Sequence, residues 1–218
     1  MEEHNRENHI LSTQAIKRMP YYLQYLKKLA GEGIEIVSAP SIAAHFNFTE
    51  IQVRKDFSAV STTKGKPKSG FTVKELIYDM ESILGYHSVN QAVLVGVGQL
   101  GRALLSYRGF ENYGLKIVVA FDQDPETAGS KIAGVNVFAS EKISDLCRRM
   151  NIPIGIITVP ETAAQTVCDQ LIAGGVKAIW NFAPVHLSVP QNILVQNENM
   201  AASLALLSKH LEEKIVSE

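Results

Sequence analysis

A glycine-rich turn constrains the fold of this chain more than any other feature. Gly96, Gly98 and Gly101 follow the spacing Gly-x-Gly-x-x-Gly, directly after an apolar run at 92–97 and at the start of a helical pattern at 100–110. The first glycine permits a tight bend, the second lets the backbone approach a pyrophosphate, and the third lets helix and strand pack closely. The turn predicts a strand–helix unit with a dinucleotide at the helix N-terminus, although a tight turn without a ligand has the same spacing.

The second apolar run, 117–121, ends in an acidic side chain where a ribose would lie. Asp122 follows Gly101 at about the twenty-residue spacing at which a carboxylate hydrogen-bonds a ribose 2′-hydroxyl and repels a 2′-phosphate. We therefore predict NAD(H) rather than NADP(H) as the cofactor. Two alternatives stay open: Asp124 takes this role, or Asp122 only serves the turn before Pro125.

More short apolar runs follow, and helical patterns lie between most of them. Strands that alternate with helices predict a parallel sheet covered on both faces. The runs are 135–138, 154–159, 177–180 and 193–195, and the helical patterns are 141–150 and 161–173. Proline-bearing loops follow two of the runs, at 158–160 and 181–184. Since ligands bind at the carboxyl ends of such strands, these loops are candidates for a nicotinamide wall, or ordinary loops ended by proline.

The N-terminal part of the chain has a different pattern. Helical periodicity at 12–30 precedes a short capped helix at 38–46 and a third helix that Thr49 begins, which is typical of a helix-turn-helix. Pro20 predicts a kink or a break in the first helix. Lysines at alternate positions within 62–71 predict an exposed hairpin, or wing, before a fourth helix.

Charge is distributed unevenly along the chain. Residues 11–70 carry nine lysines and arginines against four acidic residues, whereas the remainder carries twelve against eighteen. The net charge of −1 hides this asymmetry, which favours a polyanionic partner for the N-terminal part alone. We predict that this partner is double-stranded DNA.

Candidate DNA contacts lie on the third helix and in the wing. On a helical wheel Val53, Phe57 and Val60 face the core, so the opposite side is available to a major groove. There Gln52 can read adenine with two hydrogen bonds, and Lys55 can reach guanine. The predicted DNA-binding residues are Thr49, Ile51, Gln52, Arg54, Lys55, Ser58, Lys64, Lys66 and Lys68. The alternatives are a solvated helix face and an ordinary surface loop.

Composition disfavours several other classes of protein. Cys147 and Cys168 cannot form a disulfide framework, and no Cys/His pair has zinc-ligand spacing, so we expect no metal. The chain has no run of about 18 apolar residues and no apolar signal core at its N-terminus, so we expect no membrane span and a cytoplasmic location. No catalytic triad or evident proton donor accompanies the predicted nicotinamide site, which favours a sensor over an enzyme.

Taken in order, these motifs resemble the Rex family of redox-sensing transcriptional repressors. The resemblance begins at residues 17–22 and reaches the final helical stripe. The most specific matches are Val-Arg-Lys-Asp-Phe at 53–57, Gly-Val-Gly-Gln-Leu-Gly at 96–101, Phe-Asp-Gln-Asp-Pro at 121–125, Thr-Val-Pro at 158–160 with Ala-Gln at 164–165, and Asn-Phe-Ala-Pro at 181–184 with Leu187 and Val-Pro at 189–190.

The resemblance implies a homodimer of three-part α/β chains. It implies a winged-helix DNA-binding domain at 1–88, a Rossmann dinucleotide-binding domain with a parallel sheet at 89–196, and a domain-swapped C-terminal helix at 197–218. That helix would lie against the partner's N-terminal domain, which accounts for its apolar stripe. The dimer is expected to repress genes of fermentation and respiration from palindromic operators while NAD⁺ dominates, and to leave the DNA when NADH rises.

The motifs and the resemblance together assign the remaining site residues. Predicted cofactor-binding residues are Gly96, Val97, Gly98, Gln99, Leu100, Gly101, Tyr107, Asp122, Val159, Pro160, Asn181, Phe182 and Pro184. Predicted residues of the switch between domains and protomers are Arg18, Gln24, Asn199, Met200, Leu204, Leu207 and Leu211.

The sequence departs from the family pattern in the wing and in the switch. Ser-Thr-Thr-Lys at 61–64 replaces glycines, and the wing is one residue longer. Gln24 and Asn199 replace a basic residue and an aspartate that can pair, which predicts a weaker, less salt-dependent lock. Met200 stands where a large apolar residue often reaches toward the partner's cofactor.

Two other classes of function fit parts of the same sequence. An NAD-dependent oxidoreductase with an accessory helical domain would turn over substrate and need a proton-transfer residue in its cleft. A dinucleotide- or CoA-binding interaction module would lack DNA affinity.

Overall fold

The computed structural model describes residues 11–62, 70–88 and 90–216. The chain divides into two units, Met1–Ser88 and Val89–Glu218. The first unit is mainly helical, and the second contains the parallel sheet. No helix within the described ranges is long and apolar enough to cross a membrane.

Four helices and a two-stranded ribbon form the described part of the N-terminal unit. They are α1 (Thr13–Gly31), β1 (Ile36–Val37), α2 (Ala39–Phe46), α3 (Glu50–Val60), β2 (Phe71–Thr72) and α4 (Val73–Ile83). Ser12, Ser38 and Thr49 each accept a hydrogen bond from the backbone N–H three residues on, which fixes the starts of α1, α2 and α3. Asn47, in the left-handed conformation, ends α2, so α3 begins after a tight turn.

Of the predicted kink or break in helix α1, the break is wrong, because the helix runs through Pro20 without interruption. Proline has no N–H, and the carbonyl of Ile16 therefore lacks its usual helical donor. That turn reaches the surface, where the Ile16 side chain is 43% exposed. Water can therefore reach this turn of the helix, and the rest of α1 keeps its packing face.

An aromatic cluster forms the centre of the N-terminal unit. Tyr22 on α1 contacts Phe46, Phe48 and Phe57 edge-on, with ring centroids 5.6, 6.1 and 5.4 Å away respectively. Phe57 is fully buried. The three residues that the wheel assigned to the core side of α3 are all buried, so α3 presents its opposite face outward.

The C-terminal unit is built on one twisted sheet. In the described residues its strands are β3 (Asn90–Val95), β4 (Leu115–Asp122), β5 (Lys131–Ile132), β6 (Val135–Ala139), β7 (Ile154–Ile157), β8 (Ala178–Asn181) and β9 (Leu194–Asn197). They lie in the order β5-β6-β4-β3-β7-β8-β9. Only the pairing of the short edge strand β5 with β6 is antiparallel among these strands. The predicted parallel α/β sheet is confirmed, and β5 is an element that the sequence patterns did not indicate.

Helices cover both faces of this sheet. The covering helices are α5 (Gln99–Ser106), α6 (Ile143–Met150) and α7 (Glu161–Ala173). A final helix, α8 (Met200–Val216), follows β9. Val93 and Val95 of β3 pack in the core with α6 and α7, whereas Ala92 and Leu94 pack on the other face with α5. Successive side chains of the buried strand β3 thus point into two different cores, as expected of a parallel sheet covered by helices on both faces.

We expect Phe57→Ala to lower the free energy of unfolding of the N-terminal unit by about 3–5 kcal/mol, because it leaves a cavity in the aromatic cluster. Ile51→Ala on the same helix should change it by less than about 0.5 kcal/mol, since Ile51 is 82% exposed. Urea denaturation followed by circular dichroism measures both. Equal losses would contradict the orientation of α3.

Candidate functional site

The glycine-rich turn lies at the carboxyl end of β3, where the two neighbouring strands hold it. The Gly96 N–H donates to the Phe121 carbonyl at 2.9 Å, and the Thr158 hydroxyl donates to the Gly96 carbonyl at 2.6 Å. Gly96 has φ 98°, and a Cβ there would lie 2.8 Å from the carbonyl carbon of Thr158. Both the backbone conformation and the close approach therefore require glycine.

The other two glycines of the turn have different roles. A Cβ at Gly101 would lie 2.0 Å from the carbonyl oxygen of Gly96, so α5 can approach the strand only without a side chain there. A Cβ at Gly98 would meet nothing within 4 Å. Gly101 thus serves the fold, whereas Gly98 keeps space open beside the N-terminus of α5, where anions are favoured.

Asp122 faces this turn from the end of β4. Its Oδ2 accepts a hydrogen bond from the Val97 N–H at 2.6 Å, and its Oδ1 accepts one from the Asp124 N–H at 2.9 Å. Asp124 instead turns into its own loop, where it accepts hydrogen bonds from Glu126 N–H and the Thr127 hydroxyl. The Thr127 hydrogen bond lowers the pKa of Asp124. Of the two acidic candidates, Asp122 is the one placed beside the glycines.

A cleft of about 790 Å³ opens at the carboxyl ends of β3, β4, β6 and β7. The chain runs outward from β3 through β4 to β6 and then returns to β7 on the other side of β3, so the cleft lies where the strand order reverses. The predicted cofactor residues that line it are Gly96, Gly98, Asp122, Val159 and Pro160. Thr158, from the loop predicted as a nicotinamide wall, also lines it, and so do polar residues that sequence reasoning missed: Gln123, Ser140, Glu141, Thr162, Thr166 and Gln170.

Two of these missed residues could have been predicted from their position along the chain. Ser140 and Glu141 follow β6 directly, so they lie at the same sheet edge as Asp122. In the part of the chain that the structure describes, no group of three His, Cys, Asp or Glu residues is arranged to hold a metal ion. The side chains that line the cleft are hydroxyls, amides and two carboxylates, together with apolar groups such as Val159 and Pro160.

Tyr107 and Phe182 do not line this cleft, but a row of aromatic rings connects them. Tyr107 contacts Phe110, Phe110 contacts Trp180, and Trp180 contacts Phe182, with centroid distances of 4.9, 5.6 and 4.9 Å. Trp180 and Phe182 pack on the sheet face that carries α5. Two predicted cofactor-binding residues, far apart in the sequence, are thus linked by ring contacts.

Asn181 is fully buried at the end of β8, and its amide organises the loop that follows. Its Nδ2 donates to the carbonyls of Ala183 and Val185 at 3.2 and 3.0 Å and to Oδ1 of Asn197 at 2.9 Å. Its Oδ1 accepts from the Ala183 N–H at 3.0 Å. This side chain is committed to the protein, so it shapes the loop at 182–185 and ties it to β9.

A second amide holds the next part of the same loop, and sequence reasoning missed its role. Gln165 on α7 accepts from the Ser188 N–H at 2.9 Å and donates to the Ser188 carbonyl at 3.0 Å. Its importance could have been inferred from the sequence, because Gln165 belongs to one of the segments that resemble the Rex family. The loop after β8 is therefore preorganised from both sides.

The predicted DNA-binding face of α3 is accessible. Ile51, Arg54, Lys55 and Ser58 are exposed and Gln52 is half-buried. Thr49 is committed to capping the helix, and Arg54 pairs with Glu50 one turn earlier. The predicted residues that share one groove of about 530 Å³ are Thr49, Ile51, Gln52, Lys55 and Ser58. The wing lysines Lys64, Lys66 and Lys68 lie outside the described residues.

A buried carboxylate on α3 was also missed. Asp56 is 4% exposed and accepts from Nε and Nη2 of Arg18, both at 2.8 Å, and from the Tyr22 hydroxyl at 3.0 Å. The hydrogen bond with Asp56 raises the pKa of Arg18, while burial, and after it the bond to Asp56, raises the pKa of Tyr22 to about 12. The sequence feature that could have indicated this buried carboxylate is its position between the core residues Val53 and Phe57.

The predicted switch residues divide between the two units. Arg18 forms its ion pair inside the N-terminal unit, and Gln24 on α1 is exposed. Asn199 caps α8 by accepting from the Ala202 N–H at 3.0 Å. The large apolar side chains that α8 exposes are Met200, Leu204, Leu206, Leu207, Leu211 and Ile215. The roles of these residues in a switch stay predictions.

Comparison with known proteins agrees with this two-part organisation. Residues 11–58 match the family model described as "Putative DNA-binding protein N-terminus", and residues 87–185 match the one described as "CoA binding domain". A DNA-binding unit joined to a nucleotide-binding sheet defines a ligand-controlled transcription regulator.

Relatives with a curated description narrow this class to one family. A redox-sensing transcriptional repressor Rex from Porphyromonas gingivalis is 38% identical over 210 residues, covering 94% of this chain and 96% of that one. Another from Clostridium beijerinckii is 38% identical over 213 residues, covering 98% and 99%. The chain belongs to the Rex family, and the predicted family is confirmed.

Solved structures of a Rex-family repressor called RSP match nearly the whole chain. RSP in complex with β-NAD⁺ and operator DNA has a TM-score of 0.88 at 33% identity, covering 95% of each chain. RSP in complex with β-NADH has a TM-score of 0.83 at 32% identity, covering 95% of this chain and 97% of that one. These matches confirm the predicted fold class.

We expect Gly101→Ala to lower the thermal stability of the C-terminal unit by several degrees, because its Cβ would collide with a fixed backbone carbonyl. Gly98→Ala is the matched control in the same turn and should leave the unfolding temperature almost unchanged, since its Cβ meets open space. Differential scanning calorimetry in the absence of ligand measures both. A stable Gly101→Ala protein would contradict the close packing of α5 on β3.

Proposed function

We propose that this chain is a homodimeric repressor that binds palindromic operator DNA in its NAD⁺-bound form and releases it when NADH replaces NAD⁺. The observation that carries the proposal is the pairing of Asp122 with the open glycine turn in a chain that belongs to a family of redox-sensing repressors. A cytoplasmic location belongs to the same proposal, because bacterial operator DNA is there.

The cleft suits a dinucleotide with an unphosphorylated ribose. Gly98 and the N-terminus of α5 offer backbone donors and a positive dipole to the pyrophosphate. Asp122 has further lone pairs for a ribose hydroxyl, and its negative charge repels a 2′-phosphate. These features support NAD(H) as the cofactor.

Redox sensing through the cofactor also agrees with the state of the cysteines. Cys147 and Cys168 are fully buried in the core between the sheet and its helices. Burial raises the pKa of both thiols to about 11, so they stay protonated and weakly nucleophilic at neutral pH. The nicotinamide is the redox-sensitive group that this fold can present.

The switch requires that NAD⁺ and NADH favour different arrangements of the protein, because a ligand with equal affinity for both shifts nothing. The oxidised nicotinamide is cationic and planar, and the reduced ring is neutral. We place this discrimination at the row of aromatic rings and the loop at 182–185 that Asn181 shapes.

A second copy of the chain is the proposed partner of α8. The helix exposes a continuous apolar stripe of large side chains, each more than half exposed in the single chain. A stripe of this size on an isolated helix has too little packing to be stable by itself. A swapped position in a homodimer would bury it.

The alternative functions have less support. The relatives are repressors and not dehydrogenases, so the oxidoreductase reading is set aside. A binding module without DNA affinity does not account for the exposed third helix with its basic and amide side chains.

We expect Asp122→Ala to weaken NADH binding at least about tenfold, which corresponds to roughly 1.4 kcal/mol, and so to blunt release from DNA. Asp124→Ala is the control, since Asp124 bonds within its own loop. Lys55→Ala should weaken DNA binding while NADH affinity stays unchanged. Fluorescence titrations of the wild type and of each variant, with NADH and with a labelled duplex, measure these affinities. Intact NADH binding by Asp122→Ala would contradict the cofactor assignment.

We expect the wild-type protein to sediment as a dimer and the double variant Leu207→Arg/Leu211→Arg to sediment as a monomer, because buried unpaired charges would separate the swapped helices. Glu212→Gln, an exposed polar change on the same helix, is the control. Analytical ultracentrifugation gives the masses. A monomeric wild type, or a double variant that stays dimeric, would contradict the proposed role of α8.

A further inference from the structure

The recognition helix α3 rests on a rigid group of three polar side chains. Asp56 is buried and accepts hydrogen bonds from two nitrogens of Arg18 and from the Tyr22 hydroxyl. The two N–H···O bonds to one carboxylate fix the plane of the guanidinium. Tyr22 is fully buried against the aromatic cluster, so the group has little freedom to rearrange.

Gln52 lies one helical turn before Asp56, on the side of α3 that faces this guanidinium. The donors of Arg18 require the amide oxygen, and not the amide nitrogen, on this side, and in that orientation the oxygen lies 3.0 Å from Nη1 and 3.0 Å from Nε. The one hydrogen of Nε is donated to Asp56, so Nη1 is the donor to Gln52. A guanidinium has donors and no acceptor. The opposite orientation of the amide would set its two N–H donors against other donors, so Arg18 decides which way the amide of Gln52 points.

In this arrangement the amide oxygen of Gln52, its hydrogen-bond acceptor, is used inside the protein. Two-point reading of adenine needs both halves, with the amide N–H at adenine N7 and the amide oxygen at the N6 amino group. Gln52 lies in the groove of α3 together with the exposed Lys55 and Ser58. With its oxygen turned toward Arg18, it presents its –NH₂ group to that groove.

We propose that the Arg18–Asp56 pair makes Gln52 a hydrogen-bond donor that recognises an acceptor on a base edge. The acceptors in the major groove are N7 and O6 of guanine, N7 of adenine and O4 of thymine. Gln52 is then the specificity-determining residue for one position of each half-site, and Arg18 is its positioning residue. The inference rests on the proposed DNA binding and replaces the two-point reading of adenine expected from the sequence.

The test uses base analogues that lack single groups. A duplex is first selected by the wild-type protein from a randomised palindromic pool. Purines are then replaced one at a time by 7-deaza analogues, which lack N7, and adenines by nebularine, which lacks the N6 amino group. Guanine is replaced by 2-aminopurine, without O6, and thymine by 5-methyl-2-pyrimidinone, without O4. Each affinity is measured for the wild type and for Gln52→Ala at one salt concentration.

We expect the loss of one acceptor to weaken DNA binding by the wild-type protein by roughly 2- to 13-fold, as for one hydrogen bond, and to leave DNA binding by Gln52→Ala almost unaffected. Nebularine should give no penalty that depends on Gln52. Lys55→Ala is the control on the same helix: it should keep the Gln52-dependent penalty, because Arg18 still holds the amide.

Two further variants test the positioning role. Gln52→Glu keeps an oxygen toward Arg18 and presents another to the groove, so it should reverse the preference toward a base with an amino group. Arg18→Lys loses the fork that holds the amide, so the Gln52-dependent penalty should shrink even where thermal unfolding shows a folded N-terminal unit.

A nebularine penalty that disappears in Gln52→Ala would contradict the donor assignment, and so would an equal effect of Gln52→Ala on every duplex. Failure of the wild type to select any duplex would instead contradict the proposed function itself, and the inference with it. Normal selection with a Gln52-dependent acceptor penalty supports both.

Discussion

The turn between β3 and α5 is the constraint on which the C-terminal unit depends. Three strand ends meet there: the Gly96 N–H bonds to β4, the Thr158 hydroxyl after β7 bonds back to Gly96, and Asp122 at the end of β4 accepts from the Val97 N–H. A side chain at Gly96 or Gly101 would collide with fixed backbone. The same contacts that close the fold leave Gly98 open, so packing of the sheet and formation of the cleft have one cause.

The N-terminal unit depends in a similar way on a charge taken out of water. A buried carboxylate is costly unless every lone pair is used, and Asp56 uses three donors from Arg18 and Tyr22. These charge-assisted hydrogen bonds offset the cost, and the fixed guanidinium then orients Gln52 on the exposed face of α3. Arg18, as a positioning residue, thus determines which hydrogen-bonding group Gln52 presents to a base.

Periodicity and glycine spacing predicted the parallel strands of the large sheet, most helices and the cleft residues Gly96, Gly98 and Asp122, because these depend on local backbone geometry and alternating burial. Side-chain partners far apart in sequence could not be predicted in this way. The bonds of Asn181 to Asn197, of Gln165 to Ser188 and of Asp56 to Arg18 exist only once the chain has folded. Pro20 shows the opposite case: a strong local rule predicted a kink or a break, yet α1 continues from Thr13 to Gly31.

We propose that one cofactor controls DNA binding by this chain. Fluorescence anisotropy of a labelled, palindromic, AT-rich duplex with the wild-type protein tests it most directly, with NADH titrated over constant NAD⁺ at fixed salt. We expect the complex to dissociate as NADH rises and to persist when NADPH is added instead, because Asp122 repels a 2′-phosphate. Binding to the duplex that is indifferent to NADH would contradict it.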